Sequence, residues 1–278
     1  MIAGAWLDGA AQTLREAGVE APRRDALLLL ACASGVGKAH LLSHPELDIP
    51  SELASGAGRL LDRRARREPL QYILGVQEFW GLPVRVGPGC LIPRPETEHL
   101  VETALRLLEG CDRPSVAEVG AGSGCVLMAL AKERPDCRLV GLEREAAALA
   151  WARLNLPVRG VLLVRADMGD RTPLRGLDLV VSNPPYITDT EWEALEAEVR
   201  DYEPESALRC GGDPLGPYRA LASLAASALK PGGCLACELG VAQARRAASL
   251  RHLHAALPWR EGVRDLAGRL RVAVWEKT

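Results

Sequence analysis

Val116-Ala117-Glu118-Val119-Gly120-Ala121-Gly122-Ser123-Gly124 is the stretch whose reading decides the fold. A short, mostly apolar run ends in a glycine-rich loop, and a helical pattern follows at once and runs to Arg134, so the local order is strand, loop, helix. Glycines let such a loop take positive φ and let a ligand approach the backbone closely. They sit here at the carboxyl end of a strand, where open α/β sheets bind their ligands.

Toward the C-terminus the same alternation continues. Leu139 to Leu142, a helix through Trp151, Val161 to Val164 and Leu177 to Val181 follow in turn. A strand at Cys234 to Glu238, a helix through Ala247 and Leu253, and a last strand at Leu270 to Trp275 complete the series. Short apolar runs alternating with helical patterns predict βαβ units and a doubly wound, mostly parallel α/β sheet.

Toward the N-terminus the period changes. Phe79, Trp80, Val84 and Val86 alternate around Gly81-Leu82-Pro83, which predicts a β-hairpin. Before it, Trp6, Ala10, Leu14 and Ala17 recur at helical steps, Pro22 opens a second helix through Ala26 to Leu30, and Leu53, Ala57, Leu60, Leu61 and Arg64 keep the period. The predicted organisation is a helical domain over 1–75, a hairpin linker over 76–90 and the sheet domain over 91–278. In the proline-rich entry Ile92-Pro93-Arg94-Pro95-Glu96-Thr97-Glu98, Thr97 is expected to cap the helix described by Leu100, Ala104, Leu107 and Leu108.

With 278 residues, the chain is long enough for one full α/β domain and a smaller companion. Hydrophobic residues at 48% and charged residues at 25% exclude a disordered chain and predict a packed core. A formal net charge of -2 gives no broad positive field for nucleic acid, so no direct nucleic-acid partner is expected. Asp8 comes too early for a signal-peptide apolar stretch, and no run of about 18 apolar residues is present, so the expectation is a cytoplasmic protein with no membrane span. The 8 cysteines are scattered, with Cys32, Cys90, Cys125 and Cys234 in apolar segments, and are expected to be buried reduced thiols.

Glu143, at the end of the next strand about 20 residues beyond the loop, can accept both ribose hydroxyls of an adenosine cofactor. Loop and carboxylate together fit a dinucleotide or S-adenosylmethionine. Gly120-Ala121-Gly122-Ser123-Gly124 lacks the G-x-G-x-x-G spacing that seats a pyrophosphate, and S-adenosylmethionine carries no phosphate to be seated. Glu118 is expected either to meet the amino group of the methionine moiety or to satisfy backbone donors of the loop.

Ser182-Asn183-Pro184-Pro185-Tyr186 follows the fourth strand at the same sheet edge and carries the acceptor chemistry. An amide or amino nitrogen conjugated to a π system is a poor nucleophile because its lone pair is delocalised. Holding both of its hydrogens with acceptors aims that lone pair at the methyl group, in line with the departing sulfur. The Asn183 side-chain oxygen and the Pro184 carbonyl supply two such acceptors, Pro185 stiffens the turn, and Tyr186 offers a flat surface for stacking.

On these motifs the chain resembles the release factor glutamine methyltransferases, the HemK or PrmC family, over nearly its whole length. Glu68-Pro69-Leu70-Gln71-Tyr72-Ile73-Leu74-Gly75, Leu91-Ile92-Pro93-Arg94-Pro95-Glu96-Thr97-Glu98, Glu203-Pro204-Glu205-Ser206-Ala207-Leu208 and Glu238-Leu239-Gly240 add to the two loops. The resemblance implies a seven-stranded S-adenosylmethionine-dependent methyltransferase sheet. It also implies methylation of the glutamine side chain in the Gly-Gly-Gln loop of class I peptide chain release factors, which the helical N-terminal domain would contact. It places Asp167 and Met168 at the third strand's exit near the adenine. The chain departs from the family pattern in three places: Glu118 and Glu143 replace frequent aspartates, Met168 stands where an aromatic is usual, and Pro214 replaces a glycine in Gly211-Gly212-Asp213-Pro214-Leu215.

A ribosomal-protein glutamine methyltransferase would share nearly every motif, and enzymes methylating adenine N6 share the Asn-Pro-Pro-Tyr signature but need base flipping and a positive duplex surface. A non-enzymatic adaptor would have lost Asn183 or the glycines, and a nicotinamide oxidoreductase would bind a different cofactor. Gly35-Val36-Gly37-Lys38 fails as a phosphate loop, since Cys32 and Ala39 stand where glycine and Ser or Thr are needed. Cys234 and Cys237, at odd spacing on a strand, point to opposite faces, and no metal site is expected. His40, His44, His252 and His254 are expected at the surface, and Arg63, Arg64, Arg66 and Arg67 as a solvated helix end.

Overall fold

The computed structural model describes residues 1–156, 160–170 and 172–278, which divide into two compact units. One comprises 1–76 with 196–202; the other comprises 77–195 with 203–278.

The smaller unit is helical: α1 (Ala3–Glu16), α2 (Pro22–Ser34), α3 (Lys38–Ser43), α4 (Ser51–Ala65) and α5 (Leu70–Leu74). The apolar stripes of α1 and α2 bury Leu7, Leu14, Leu29 and Leu30, which pack with Leu41, Ile49 and Ala57 in one core. Pro22 occupies the first turn of α2, where its missing N–H costs nothing, and Gly35 ends the helix in the left-handed conformation. The short helix Ala197–Tyr202 completes this unit from much later in the chain.

That late segment corrects the expectation for the arginine cluster. Arg64 is buried, donating from Nε to Asp25 (2.9 Å), from Nη2 to Glu198 (3.0 Å) and from Nη1 to the Glu68 carbonyl (3.0 Å). Arg67 also donates to Glu198, and Arg63 forms a two-pronged pair with Glu68. Three of the four arginines therefore serve internal ion pairs and do not form a solvated patch.

The larger unit opens with the hairpin β1 (Val76–Phe79) and β2 (Leu82–Arg85). Trp80 (φ 56) and Gly81 (φ 64) both take positive φ, the two-residue turn whose twist matches paired strands. The sheet contains β3 (Ser115–Val119), β4 (Arg138–Glu143), β5 (Val161–Arg165), β6 (Leu177–Ser182), β9 (Leu229–Glu238), β10 (Trp259–Arg264) and β11 (Leu270–Glu276), in the order β10-β11-β9-β6-β3-β4-β5. A separate small pair is β7 (Ile187–Thr188) with β8 (Arg209–Gly211). Strands β9, β6, β3, β4 and β5 run parallel, while β11 runs antiparallel to both β9 and β10.

Helices α6 (Glu98–Leu107), α7 (Cys125–Glu133) and α8 (Ala146–Asn155) and the later helix Gly216–Ala228 pack on this sheet. Ala117, Val119, Leu142, Val180, Leu235 and Cys237 share one buried face with Tyr218, Leu221 and Trp275. Val116, Leu139, Leu179 and Val181, on the alternate positions, are buried as well. Burial of both faces is why these strands read as continuous apolar runs. Order reverses at β3, which lies between β4 and β6, so the loops leaving β3 and β6 part and open a crevice.

The sequence reading needs correction at three further points. β10 supplies the seventh strand but alternates half-buried and exposed residues at the sheet edge, a pattern too weak to read. The helix expected through Ala247 and Leu253 is two short turns, Val241–Ala244 and Ala247–Leu250. Of the cysteines, Cys90, Cys125, Cys234 and Cys237 are buried as expected, but Cys32 is exposed. Among the described residues no helix is long and apolar enough to cross a membrane, and no cluster of metal-ligating side chains occurs.

Candidate active site

The glycine loop needs its glycines for conformation: Gly120 (φ 74), Gly122 (φ 54) and Gly124 (φ 79) are all left-handed. The loop is clamped from several sides. The backbone N–H groups of Gly120 and Ala121 donate to the Leu142 carbonyl at 2.8 and 3.0 Å. The Asn155 side-chain amide, buried, donates to the carbonyls of Ser123 and Arg85 and accepts from the Arg85 N–H, each at 2.9 Å. Ser123 is buried beside the Cys90 and Cys125 thiols, and burial pushes the Cys90 thiol up to about 12. Gly89 and Leu91 join Val119, Gly120, Gly122 and Glu143 in lining the cleft above this loop.

Glu143 is buried, and its two oxygens accept the N–H groups of Gly122 (2.9 Å) and Glu145 (2.8 Å). Each carboxylate oxygen has a second lone pair, so the group can shape the loop and still accept hydroxyls from a ligand. Glu118 is also buried and accepts the backbone N–H of Leu127 in the first turn of α7, while its Oε2 has no hydrogen-bond partner among the described residues. Burial, with Glu143 nearby, raises its carboxyl well above the usual range. An orphaned, desolvated carboxylate oxygen calls for a donor, and a ligand ammonium would satisfy it and restore its charge. These features fit the amino and ribose groups of S-adenosylmethionine, and Met168 and Ala166 give the cleft an apolar patch.

Across the crevice, β6 ends in Ser182, whose hydroxyl donates to the Val119 carbonyl at 2.7 Å. This bond ties the start of the acceptor motif to the start of the glycine loop. Asn183 and Pro185 line the same cleft. Asn183 donates from Nδ2 to the Thr97 hydroxyl at 3.2 Å, leaving Oδ1 for a ligand. Thr97 makes no cap bond to α6, which corrects the sequence expectation: its hydroxyl accepts from Asn183.

Tyr186 is half-buried against Gly240, where an added Cβ would sit 2.6 Å from its ring, and burial pushes its phenol up. The buried Gln243 donates to the Tyr186 carbonyl (2.9 Å) and to the Pro214 carbonyl (3.2 Å). The Pro214 loop therefore has a fixed anchor. Glu203 is buried and accepts the Ile92 N–H (3.0 Å) and an Arg94 guanidinium hydrogen, which binds one proline-rich segment to another. Pro204, Ser206 and Ala207 consequently reach the cleft, as does Arg144.

Of the residues expected at the site, Gly120, Gly122, Glu143, Met168, Asn183 and Pro185 line one cleft. Glu118, Ala121, Ser123, Gly124, Asp167, Pro184 and Tyr186 stand outside its lining. Asp167 is half-buried, pairing with Arg144 (3.3 Å) and accepting the Gly169 N–H. Thr97, Glu203, Glu238 and Gln243 are supporting residues that the reading of individual side chains missed. The first three lay in the family blocks, but nothing in their local pattern announced a long-range partner.

Two family models match the chain: the PrmC N-terminal domain over residues 5–75 and the methyltransferase small domain over 97–212. The release factor glutamine methyltransferase of Geobacter sulfurreducens is 44% identical over 241 residues, covering 86% of this chain and 84% of that protein. That of Rhodospirillum rubrum is 40% identical over 275 residues (98% and 84%), and that of Caulobacter vibrioides 38% over 281 residues (98% and 95%). At such identity across nearly the whole of both chains, the protein belongs to the release factor glutamine methyltransferase family and is an enzyme whose methyl donor is S-adenosylmethionine.

Proposed function

We propose that the chain methylates the side-chain amide nitrogen of the glutamine in the Gly-Gly-Gln loop of class I peptide chain release factors. The observation that carries this reading is the setting of Asn183, which lines the cleft above the glycine loop with Nδ2 engaged by Thr97 and Oδ1 free. When bound, S-adenosylmethionine supplies an electrophilic methyl group on a positively charged sulfur.

Everything else falls to the protein. Glu118 takes the methionine ammonium, Glu143 the ribose hydroxyls, and Gly120, Ala121, Gly122, Ser123 and Gly124 form the floor that lets the donor lie against backbone. Asp167 and Met168 border the adenine. Asn183 Oδ1 and the Pro184 carbonyl accept the two amide hydrogens of the glutamine, Pro185 keeps the turn rigid, and Tyr186 flanks the planar amide. Held this way, the nitrogen presents its lone pair to the methyl carbon; the new N–C bond forms as the C–S bond breaks. The nitrogen then carries positive charge and releases a proton to water, so no strong base is required. The helical unit matched by the PrmC N-terminal model serves to dock the release factor, and the reaction belongs in the cytoplasm, where translation terminates.

The test is incubation with methyl-labelled S-adenosylmethionine and a purified class I release factor, followed by mass analysis. Label should appear on the wild-type factor and vanish when the Gly-Gly-Gln glutamine is replaced. Label on ribosomal protein and not on the factor would move the acceptor to the ribosome.

A further inference from the structure

Just past the end of β9 lies a cavity of about 260 Å³, separate from the cleft above the glycine loop. Four of its lining residues are arginines, Arg245, Arg264, Arg269 and Arg271, and none is a carboxylate. Leu239 and Val241 give it an apolar side, and Val241 is 58% exposed. Arg271 pairs with Asp265 at 2.8 Å and approaches Glu96 only to 3.8 Å. Arg245, Arg264 and Arg269 are exposed and pair with no carboxylate among the described residues. One acid against four cations leaves an excess of positive charge around a concave, partly apolar surface.

The turn between β10 and β11 builds this cluster. Asp265 Oδ1 accepts the backbone N–H groups of Ala267 and Arg269, both at 2.9 Å, and its Oδ2 accepts Arg271 Nε at 2.8 Å. Gly268 closes the turn in the left-handed conformation, and its carbonyl accepts from Arg264 Nη1 at 2.6 Å. Arg264, Arg269 and Arg271 are therefore held together by one folded device. Like charges so gathered repel one another, and an anion seated among them relieves that repulsion.

The cavity adjoins the acceptor motif. The Leu239 N–H donates to the Arg271 carbonyl at 2.7 Å, and Gly240, the next residue, packs against the Tyr186 ring. In the short helix Val241–Ala244, Gln243 donates to the Tyr186 carbonyl, while Val241 and Ala244 line the cavity. One helical turn thus touches Tyr186 and the arginine cavity alike.

We propose that this cavity docks an acidic segment of the protein acceptor, its carboxylates taken by Arg245, Arg264 and Arg269 and its apolar side chains by Leu239 and Val241. Guanidinium groups match carboxylates two hydrogens to two oxygens. A nucleic-acid strand would instead need cations spaced along a track and aromatic faces for its bases, and the lining holds no aromatic residue. Docking here steers the acceptor and sets its affinity, leaving the methyl-transfer step to the cleft.

The inference rests on the reading that the acceptor is a protein, and its test separates the two. The test uses the full-length enzyme and the paired charge reversal Arg245→Glu with Arg269→Glu, two exposed side chains outside the cleft. By calorimetry without any acceptor, an oligoglutamate peptide should bind the wild type at low salt and bind the double variant about tenfold or more weakly, while S-adenosylhomocysteine affinity stays within about twofold. With labelled S-adenosylmethionine and release factor, KM for the factor should rise about tenfold or more in the double variant, with kcat within about twofold at saturation. Added salt should raise KM in the wild type and much less in the variant. Equal oligoglutamate binding by both proteins would overturn the proposal, as would displacement of the peptide by a single-stranded RNA of equal charge at lower concentration. If the peptide binds as expected and the release factor stays unlabelled, the cavity stands and the acceptor assignment fails. If the factor is labelled with the same KM by both proteins, the docking role fails alone.

Discussion

The Ser182 hydroxyl donates to the Val119 carbonyl at 2.7 Å and is completely buried, so one hydrogen bond joins the carboxyl ends of β6 and β3 across the point where strand order reverses. In the proposed reaction the loop after β3 faces the donor and the loop after β6 faces the acceptor. Ser182→Ala strands the Val119 carbonyl in a dry setting, which costs about 1 to 3 kcal/mol. Urea unfolding should show that loss. Methyl transfer should weaken with it, because the loops no longer share a fixed origin; a variant as stable and as active as wild type would remove this bond from the account.

Asn183→Ala should leave cofactor affinity within a few-fold of wild type while methyl transfer falls by about 100-fold or more, as when a preorganised polar group is lost. Calorimetric titration with S-adenosylhomocysteine and single-turnover labelling measure the two separately. Near-normal turnover would take the acceptor role away from Asn183.

Arg64→Ala removes three hydrogen bonds at once, leaving Asp25 buried without its cation and Glu198 with Arg67 alone. Breaking a buried ion pair from one side costs about 3 to 5 kcal/mol. The helical unit should lose its cooperative melting transition or melt well below wild type. A shift of only a degree or two would mean that Arg67 alone suffices for Glu198.

The contrast between Arg64 and the glycine loop explains what the sequence makes legible. The loop, the parallel strands and the Asn183 turn are written in contiguous residues whose types are dictated locally, by backbone conformation and by burial on both sheet faces. Arg64 reads as one more exposed arginine because its partner Glu198 lies 134 residues away. Thr97 satisfies every local rule for a helix cap, yet its hydroxyl accepts from Asn183, brought close only by tertiary structure. Cys32 sits among leucines and is exposed, since α2 turns only one stripe inward. β10 is missed because an edge strand with one half-buried face carries almost no apolar signal.

Gly240→Ala is a test of packing at the acceptor motif. The φ of Gly240 is -71, open to any residue, so the backbone does not demand glycine. The added methyl would lie 2.6 Å from the Tyr186 ring and 2.7 Å from Gln243 Oε1, closer than real contacts allow. Displacing the ring should cost about 1 to 3 kcal/mol of stability and lower kcat about tenfold or more. Full activity would show that the orientation of Tyr186 is not needed.

Glu238 should make the protein less stable as pH rises, because burial raises its carboxyl in the folded state to about 7 from the ordinary value of 4.5. Below 4.5 the carboxyl is protonated in both states and contributes no pH dependence. Between 4.5 and about 7 the unfolded chain releases a proton that the folded chain retains, so rising pH stabilises the unfolded state relative to the native one. Above about 7 both are ionised, and the loss is complete at on the order of 3 kcal/mol. Glu238→Gln avoids it, since a neutral amide titrates in neither state. The variant should unfold at higher urea concentration than wild type at pH 8 and at about the same concentration at pH 4.5. A variant no more stable at pH 8 would place the Glu238 carboxylate in a better-solvated setting than its 2% exposure implies.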